Sequence, residues 1–109
     1  MSAEILRRAA SLMRERAEAA TPSPWRVVTD LDSGEQVVTG GPRGFYLADV
    51  HEWSTGLGNP GHIASWHPAV ALAVADWLDM IAAVREADHH VAFQYQALVV
   101  ARAYLGESA

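Results

Sequence analysis

The 109-residue chain contains no cysteine and no lysine. Without cysteine, neither a disulfide framework nor thiolate chemistry is available. All eight basic residues are arginine, and thirteen acidic residues bring the formal net charge to −5. This charge disfavours nonspecific binding to nucleic acid or to an anionic membrane, although it leaves room for a local basic patch.

Long apolar runs are also missing from the sequence. No run reaches the roughly 18 residues that a membrane-spanning helix needs. The first twenty residues carry charges throughout and lack the apolar centre of a signal peptide. We therefore expect a cytoplasmic protein with no membrane contact. Half of the residues are hydrophobic, which is enough for a folded chain, and the length predicts a single domain over residues 1–109.

Residues 2–20 have the periodicity of an amphipathic helix. The apolar residues at helical spacing are Ile5, Leu6, Ala9, Ala10, Met13, Ala17 and Ala20. The basic residues of this segment, which are candidate contacts for nucleic-acid phosphates, are Arg7, Arg8, Arg14 and Arg16. Because three acidic residues leave only one net positive charge over residues 1–20, we favour a solvated helix face over a phosphate-binding one.

Residues 25–50 change to the pattern of short strands. The segments 25–29, 35–39 and 45–50 are rich in β-branched or aromatic residues, and turn-forming residues separate them. This pattern predicts a three-stranded antiparallel meander. The second turn, 40–44, has the sequence GGPRG, but it lacks the Lys-Ser/Thr pair and the following helix of a phosphate loop, so we interpret it as a hairpin turn.

Residues 51–61 are rich in glycine and are expected to form a loop, and residues 62–105 are expected to be helical. After Pro68 the chain has no proline or glycine until Gly106. Apolar residues recur there at alternating steps of three and four, with Asp88 interrupting the pattern. One continuous helix over 68–105 would be about 57 Å long, more than a domain of this size is wide, so we favour two helices with a break near Asp88.

The overall fold class predicted is therefore α+β: an N-terminal helix, a three-stranded meander, and one long or two consecutive C-terminal helices packed on the sheet. The distal apolar residues of the last segment include Val91, Tyr95, Leu98 and Leu105. A small sheet cannot cover them all. Either this segment folds back onto the first helix or a second copy covers it, and we favour the homodimer.

Two short motifs carry a family resemblance. The first is Thr21-Pro22-Ser23-Pro24-Trp25 after the N-terminal helix, and the second is His62-Ile63-Ala64-Ser65-Trp66-His67-Pro68 before the long helical segment. Together they resemble the Ead-like small accessory proteins of phages and prophages and related actinobacterial proteins of unknown function, in which glycine is usual at the position of Ser23. The resemblance implies a phage or prophage accessory protein in the host cytoplasm, and it brings no catalytic residues.

The residue types that could carry chemistry are scattered. The five histidines are His51, His62, His67, His89 and His90. None of them has the spacing of a zinc-binding pair on one helix face, so we predict neither a metal site nor a cofactor. An acid–base pair of Asp49 or Glu52 with a histidine is not fixed by any spacing, and no Gly-x-Ser-x-Gly motif presents a serine nucleophile.

Aromatic residues offer the better candidates for binding. Trp25 and Trp77 are expected in the core, because one follows the proline turn and the other lies on the apolar face of the long helix. Trp53 lies instead in the glycine-rich loop, next to His51, where a large aromatic side chain is either a binding hot spot or a lid on the sheet. We predict partner contacts at His51, Trp53, Tyr95 and Leu98.

Three functions remain open from the sequence. We favour a non-enzymatic accessory protein that binds a host or phage protein. The first alternative is nucleic-acid binding through the arginines of the N-terminal helix, against which the net charge argues. The second is a small metal-dependent enzyme that uses the histidines, for which no ligand arrangement is visible.

Overall fold

The computed structural model describes residues 2–50, 58–87 and 94–107. Its elements in chain order are α1 (Ser2–Ala19), β1 (Trp25–Thr29), β2 (Gln36–Gly40), β3 (Phe45–Val50), α2 (Asn59–Ser65), α3 (Pro68–Glu86) and α4 (Gln94–Leu105). The α+β fold with an N-terminal helix, a three-stranded antiparallel sheet and C-terminal helices is confirmed.

The chain divides into two compact units. The helical unit contains Met1–Arg16 and Leu72–Ala109, and the sheet unit contains Ala17–Ala71. The single domain predicted for residues 1–109 stays a prediction. No single helix in the described ranges is both long and apolar enough to cross a bilayer, and α2 with α3 meets that test only as a bent pair.

The core of the helical unit is formed by α1, α3 and α4. Its fully or nearly fully buried side chains are Leu6, Ala9, Ala10, Met13, Ala75, Leu78, Ile81, Ala82, Ala97 and Ala101. Many of these are alanines, which bury little area each but let helix backbones approach closely. Because Leu78 of α3 and Ala97 of α4 share one core, the two helices are separate elements folded against each other, which confirms the prediction of two helices.

The buried faces of α3 and α4 differ from the predicted ones. Of the residues that the periodicity places on the inner face of α3, Ile81 is buried, but Val74 and Trp77 are only partly buried, and the residues next to these two, Ala75 and Leu78, are buried instead. In α4 the buried residues are Ala97 and Ala101. Both helices are apolar on more than one face, so periodicity alone did not distinguish an alanine face from the neighbouring face of larger side chains.

The sheet unit contains the meander with strand order β1-β2-β3, and α2 contacts β1 and β2. Residue Trp25 is paired with Gly40, and Val27 with Val38, in the β1–β2 register. A β-bulge at Val38/Thr39 shifts the β2–β3 register, so that Val38 faces Ala48 and Thr39 faces Tyr46.

Two expectations for this unit need correction. The loop predicted over residues 51–61 ends earlier than expected, because α2 begins at Asn59 with Pro60 in its first turn, where a proline loses no hydrogen bond. Trp25 was expected in the core but is only partly buried. Its indole Nε1 donates a hydrogen bond to the carbonyl oxygen of Thr21 at 2.8 Å, which holds the ring beside the proline turn.

Candidate functional site

The four arginines of α1 all have partners inside the helical unit. Arg7 donates hydrogen bonds to Glu86, and its Nη1 lies 3.6 Å from a carboxylate oxygen of Asp79. The guanidinium group of Arg8 contacts the carboxylate of Glu107. Arg14 forms ion pairs with Asp76 and Asp79. The guanidinium carbon of Arg16 lies 5.3 Å from the ring centroid of Tyr104. These contacts link α1 to α3 and to the C-terminal segment.

The ion pairs shift the pKa values of three of the groups concerned. The hydrogen bond from Arg7 lowers the pKa of Glu86 below its usual value, and the same bond raises the pKa of Arg7. Hydrogen bonds to Asp76 and Asp79 raise the pKa of Arg14. The cluster proposed from the sequence as a contact for phosphates is thus largely neutralised by neighbouring carboxylates, and binding nucleic acid there would require breaking these contacts.

The predicted partner-binding residues differ in their exposure to solvent. Tyr95 is 70% exposed on α4, whereas Leu98 is partly buried and packs against the core of the helical unit. His51 and Trp53 lie outside the described residues. Tyr95 borders a shallow groove of about 240 Å³ whose other lining residues are Val99, Arg102, Ala103 and Glu107. Leu98 therefore serves packing within one chain, and Tyr95 alone of the two is presented to solvent.

The histidines do not form a metal site within the described ranges, where no group of three potential ligands comes together. His62 is exposed on α2, and His67 is partly buried. His51, His89 and His90, like Asp88 and Val91 of the helical segment, lie outside the described residues. The acid–base candidate Glu52 also lies outside them.

A serine–histidine contact joins the two motifs on which the family resemblance was based. Ser23 Oγ lies 2.9 Å from Nδ1 of His67 and accepts a hydrogen bond from the backbone N–H of Ala69 at 3.0 Å. This second bond satisfies one of the free N–H groups in the first turn of α3, as an N-cap side chain does. Sequence reasoning missed the contact because 44 residues separate the two side chains.

The Ser23–His67 pair has the spacing of a nucleophile and a base, but its surroundings indicate a structural role. Ser23 Oγ is already engaged with the first turn of α3, and no carboxylate among the described residues contacts His67 to orient it as a base. We therefore assign the pair to the joining of the proline turn to the start of α3.

The face of the sheet that bears Arg26 is a second candidate site. Paired residues of neighbouring strands lie on the same face, and side chains alternate along each strand. The register pairs Arg26 with Thr39, and Thr39 with Tyr46, so these three side chains form one row across the sheet. Val28, two residues along β1, lies on the same face. Tyr46 is 68% exposed and Val28 is 43% exposed.

A groove of about 380 Å³ lies on this face and continues along the turn between β2 and β3. It is lined by Pro24, Arg26, Val28, Thr39, Gly41, Pro42, Arg43 and Gly44. We call this groove, with Tyr46 beside it, the arginine–tyrosine face. Gly41 has a φ of 77°, a conformation that other residues rarely adopt, and it turns the chain so that Pro42 and Arg43 border the groove.

Arg26 and Arg43 are exposed, and neither contacts a carboxylate within the described ranges. They differ in this respect from Arg7, Arg8 and Arg14 of α1. Thr39 lines the same groove; it is 8% exposed, and its hydroxyl makes no hydrogen bond to another described residue. As far as the described residues go, the groove thus presents two cations without a carboxylate partner and a hydroxyl without a hydrogen bond, beside apolar walls.

Comparison of the chain with protein-family models, with curated proteins and with solved structures gave no match. The similarity to Ead-like proteins therefore depends on the two short motifs alone.

Proposed function

We propose that this protein is a non-enzymatic accessory protein that binds a partner protein through the arginine–tyrosine face. The observation that carries the proposal is the exposure of Tyr46 and Val28 next to two arginines that have no carboxylate partner in the described part of the chain. Tyrosine and arginine are enriched among the residues that contribute most to protein–protein binding, because each combines a large contact area with directional hydrogen bonds.

The character of the other sites in the described residues supports a binding function over the alternatives. The basic cluster of α1 is occupied by ion pairs, so the nucleic-acid interpretation lacks free cations there. The Ser23–His67 contact is engaged in helix capping. The resemblance of two motifs to phage and prophage accessory proteins agrees with an interaction role, and the partner would then be a host or phage protein.

The experiment compares two tyrosines that are equally exposed on different surfaces. Tyr46 on the sheet is 68% exposed and Tyr95 on α4 is 70% exposed, so alanine removes a similar side chain from each surface at little cost to packing. Immobilised wild-type protein and both variants would be incubated with lysate of the host bacterium, and captured proteins would be quantified by mass spectrometry.

We expect a captured protein that is retained by Tyr95→Ala and lost with Tyr46→Ala, because a central interface tyrosine contributes about 2 kcal/mol or more. Circular dichroism should show that both variants keep the wild-type fold. The reverse pattern, loss with Tyr95→Ala alone, would move the binding surface to α4 and contradict the proposal for the sheet. Capture that neither substitution changes would also contradict it.

A further inference from the structure

The polar groups of the groove are rich in hydrogen-bond donors. Each arginine offers five N–H groups and no acceptor, and the Thr39 hydroxyl can donate as well. A ligand that satisfies such a site has to supply acceptors, and oxyanions do so with the greatest gain because the bonds are charge-assisted. The carboxylate and the phosphate group share this chemistry.

Three acidic residues of the sheet unit lie at the opposite end of β2 from Arg43. Asp30, Asp32 and Glu35 lie in and next to the turn between β1 and β2, and Asp30 Oδ1 accepts hydrogen bonds from the backbone N–H groups of Asp32 and Ser33. Arg43 lies in the turn at the other end of β2. The five residues of β2 separate the two turns by about 13 Å. At physiological salt the Debye length is about 8 Å, so the salt largely screens the attraction between these acids and Arg43.

The walls of the groove favour a peptide over a free ion. Pro24, Val28 and Pro42 contribute apolar surface to the same groove as the two guanidinium groups. A bare phosphate would leave this surface unused, whereas a peptide places aliphatic carbon beside its carboxylates. Nucleic acid is disfavoured because two arginines neutralise about two phosphates, while the chain as a whole carries a formal charge of −5.

We propose that the groove recognises an acidic segment of the partner protein, with carboxylate side chains bound between Arg26 and Arg43 and in reach of Thr39. This inference rests on the proposed function and specifies the chemistry of the partner. It also accounts for why these two arginines lack, among the described residues, the carboxylate neighbours that Arg7, Arg8 and Arg14 have.

The test uses a displayed library of random decapeptides selected against the wild-type protein. We expect enriched sequences to contain Asp or Glu next to aliphatic residues. The best peptide would then be synthesised with its acidic residues and, as a matched control, with Asn or Gln in their place. Fluorescence anisotropy would measure the affinity of both peptides for wild type, Arg26→Gln, Arg43→Gln and Arg102→Gln. Arg102 is the control, because it is an arginine of the helical unit that lies outside the groove.

We expect each groove substitution to weaken binding of the acidic peptide about tenfold, as for loss of one hydrogen-bonded charge. Arg102→Gln should leave the affinity unchanged, and the amide peptide should bind wild type as weakly as the acidic peptide binds the groove variants. Equal binding of the two peptides, or a library without acidic binders, would overturn the inference. So would tighter, arginine-dependent binding of a DNA or RNA oligonucleotide.

Failure of this inference is distinguishable from failure of the proposed function. A partner captured through Tyr46 that binds Arg26→Gln and Arg43→Gln as well as wild type would leave the binding function intact and refute acidic recognition. Loss of capture with Tyr46→Ala, Arg26→Gln and Arg43→Gln, together with preference for the acidic peptide, would support both the binding function and acidic recognition. Arginine-dependent peptide binding that inorganic phosphate displaces at millimolar concentration, with no preference for the acidic peptide, would assign the site to free phosphate and refute the acidic segment.

Discussion

The substitution Gly40→Ala tests the packing of the sheet unit. An added Cβ at Gly40 would lie 2.6 Å from Cδ1 of Trp25 and 2.7 Å from Cδ1 of Leu47. Favourable carbon–carbon contacts lie at about 3.5–4.0 Å, so both side chains have to move by about 1 Å. The indole of Trp25 can do this only by straining its 2.8 Å hydrogen bond to the Thr21 carbonyl.

Two opposing effects set the size of the change in stability for Gly40→Ala. Alanine in a strand is favoured over glycine by about 0.5–1 kcal/mol through the entropy of the unfolded chain. Overpacking costs about 1–3 kcal/mol. Because Trp25 and Leu47 contact the new methyl group from two sides, we expect the overpacking to exceed the entropy gain and the free energy of unfolding to fall by about 1–2 kcal/mol.

The assay is urea unfolding followed by tryptophan fluorescence and by circular dichroism, with Gly61→Ala as the control. Gly61 lies in α2, and no atom approaches within 4 Å of its added Cβ, so this variant should be unchanged or up to about 1 kcal/mol more stable. The cost of Gly40→Ala should also shrink in a Leu47→Ala background, which opens one of the two sides. Equal stabilities of Gly40→Ala and Gly61→Ala would refute the packing described for Trp25.

Three further outcomes are expected. Ser23→Ala should destabilise the protein by about 1 kcal/mol in the same unfolding assay, because α3 loses its N-terminal capping side chain, and an unchanged midpoint would contradict that role. The pKa of Glu86 is lowered in the folded protein, so the stability that its carboxylate contributes is present above the ordinary pKa near 4.5 and disappears as the pH falls through the lowered pKa. Between about pH 6 and pH 3 the free energy of unfolding should therefore fall less for Glu86→Gln than for wild type. Light scattering at micromolar concentration tests the predicted homodimer: α4 partly covers Leu98 and Leu105 within one chain but leaves Tyr95 70% exposed. A dimer mass that falls with Leu98→Glu would support the homodimer, and the 11.8 kDa mass of a monomer, unchanged by that substitution, would contradict it.

The order and type of the elements were predictable because local signals were strong. The strands 25–29 and 45–50 and the start of the long helix at Pro68 agree with the structure to the residue, since turn-forming residues and proline mark each boundary. The buried face of α1 agrees with the predicted apolar stripe, because Leu6, Ala9, Ala10, Met13 and Ala17 are all buried. The buried faces of α3 and α4 were not predictable. In α3 the alanine at position 75 is buried while its larger neighbours at 74 and 77 are only partly buried, because three helices approach closely where each of them contributes small side chains.

The arginine pairs show a similar limit for the site. Charge counts over residues 1–20 indicated a nearly neutral helix surface, but they could not reveal that the acids that pair with Arg7 and Arg14 come from α3, more than sixty residues away. The candidate site was missed because Arg26 and Arg43 are far apart in the sequence. They line one groove only because the meander brings β1 and the β2–β3 turn together.

The predicted strand bounds would have placed Arg26 incorrectly. Strands over 25–29 and 35–39 would pair Arg26 with Val38, whereas β2 lies one residue later and pairs Arg26 with Thr39. Strand alternation places Val28 on the same face as Arg26. Tyr46 would follow from the same reasoning only with knowledge of the β-bulge, because a regular register that keeps Val38 opposite Ala48 would pair Thr39 with Leu47 and turn Tyr46 to the other face. The bulge therefore determines which aromatic side chain joins the arginines. Deleting Leu47 should abolish it, pair Tyr46 directly with Thr39 in a regular ladder and remove a side chain that contacts Gly40. If the groove recognises an acidic segment, such a variant should keep arginine-dependent peptide binding and lose stability, which separates the recognition chemistry from the packing that supports it.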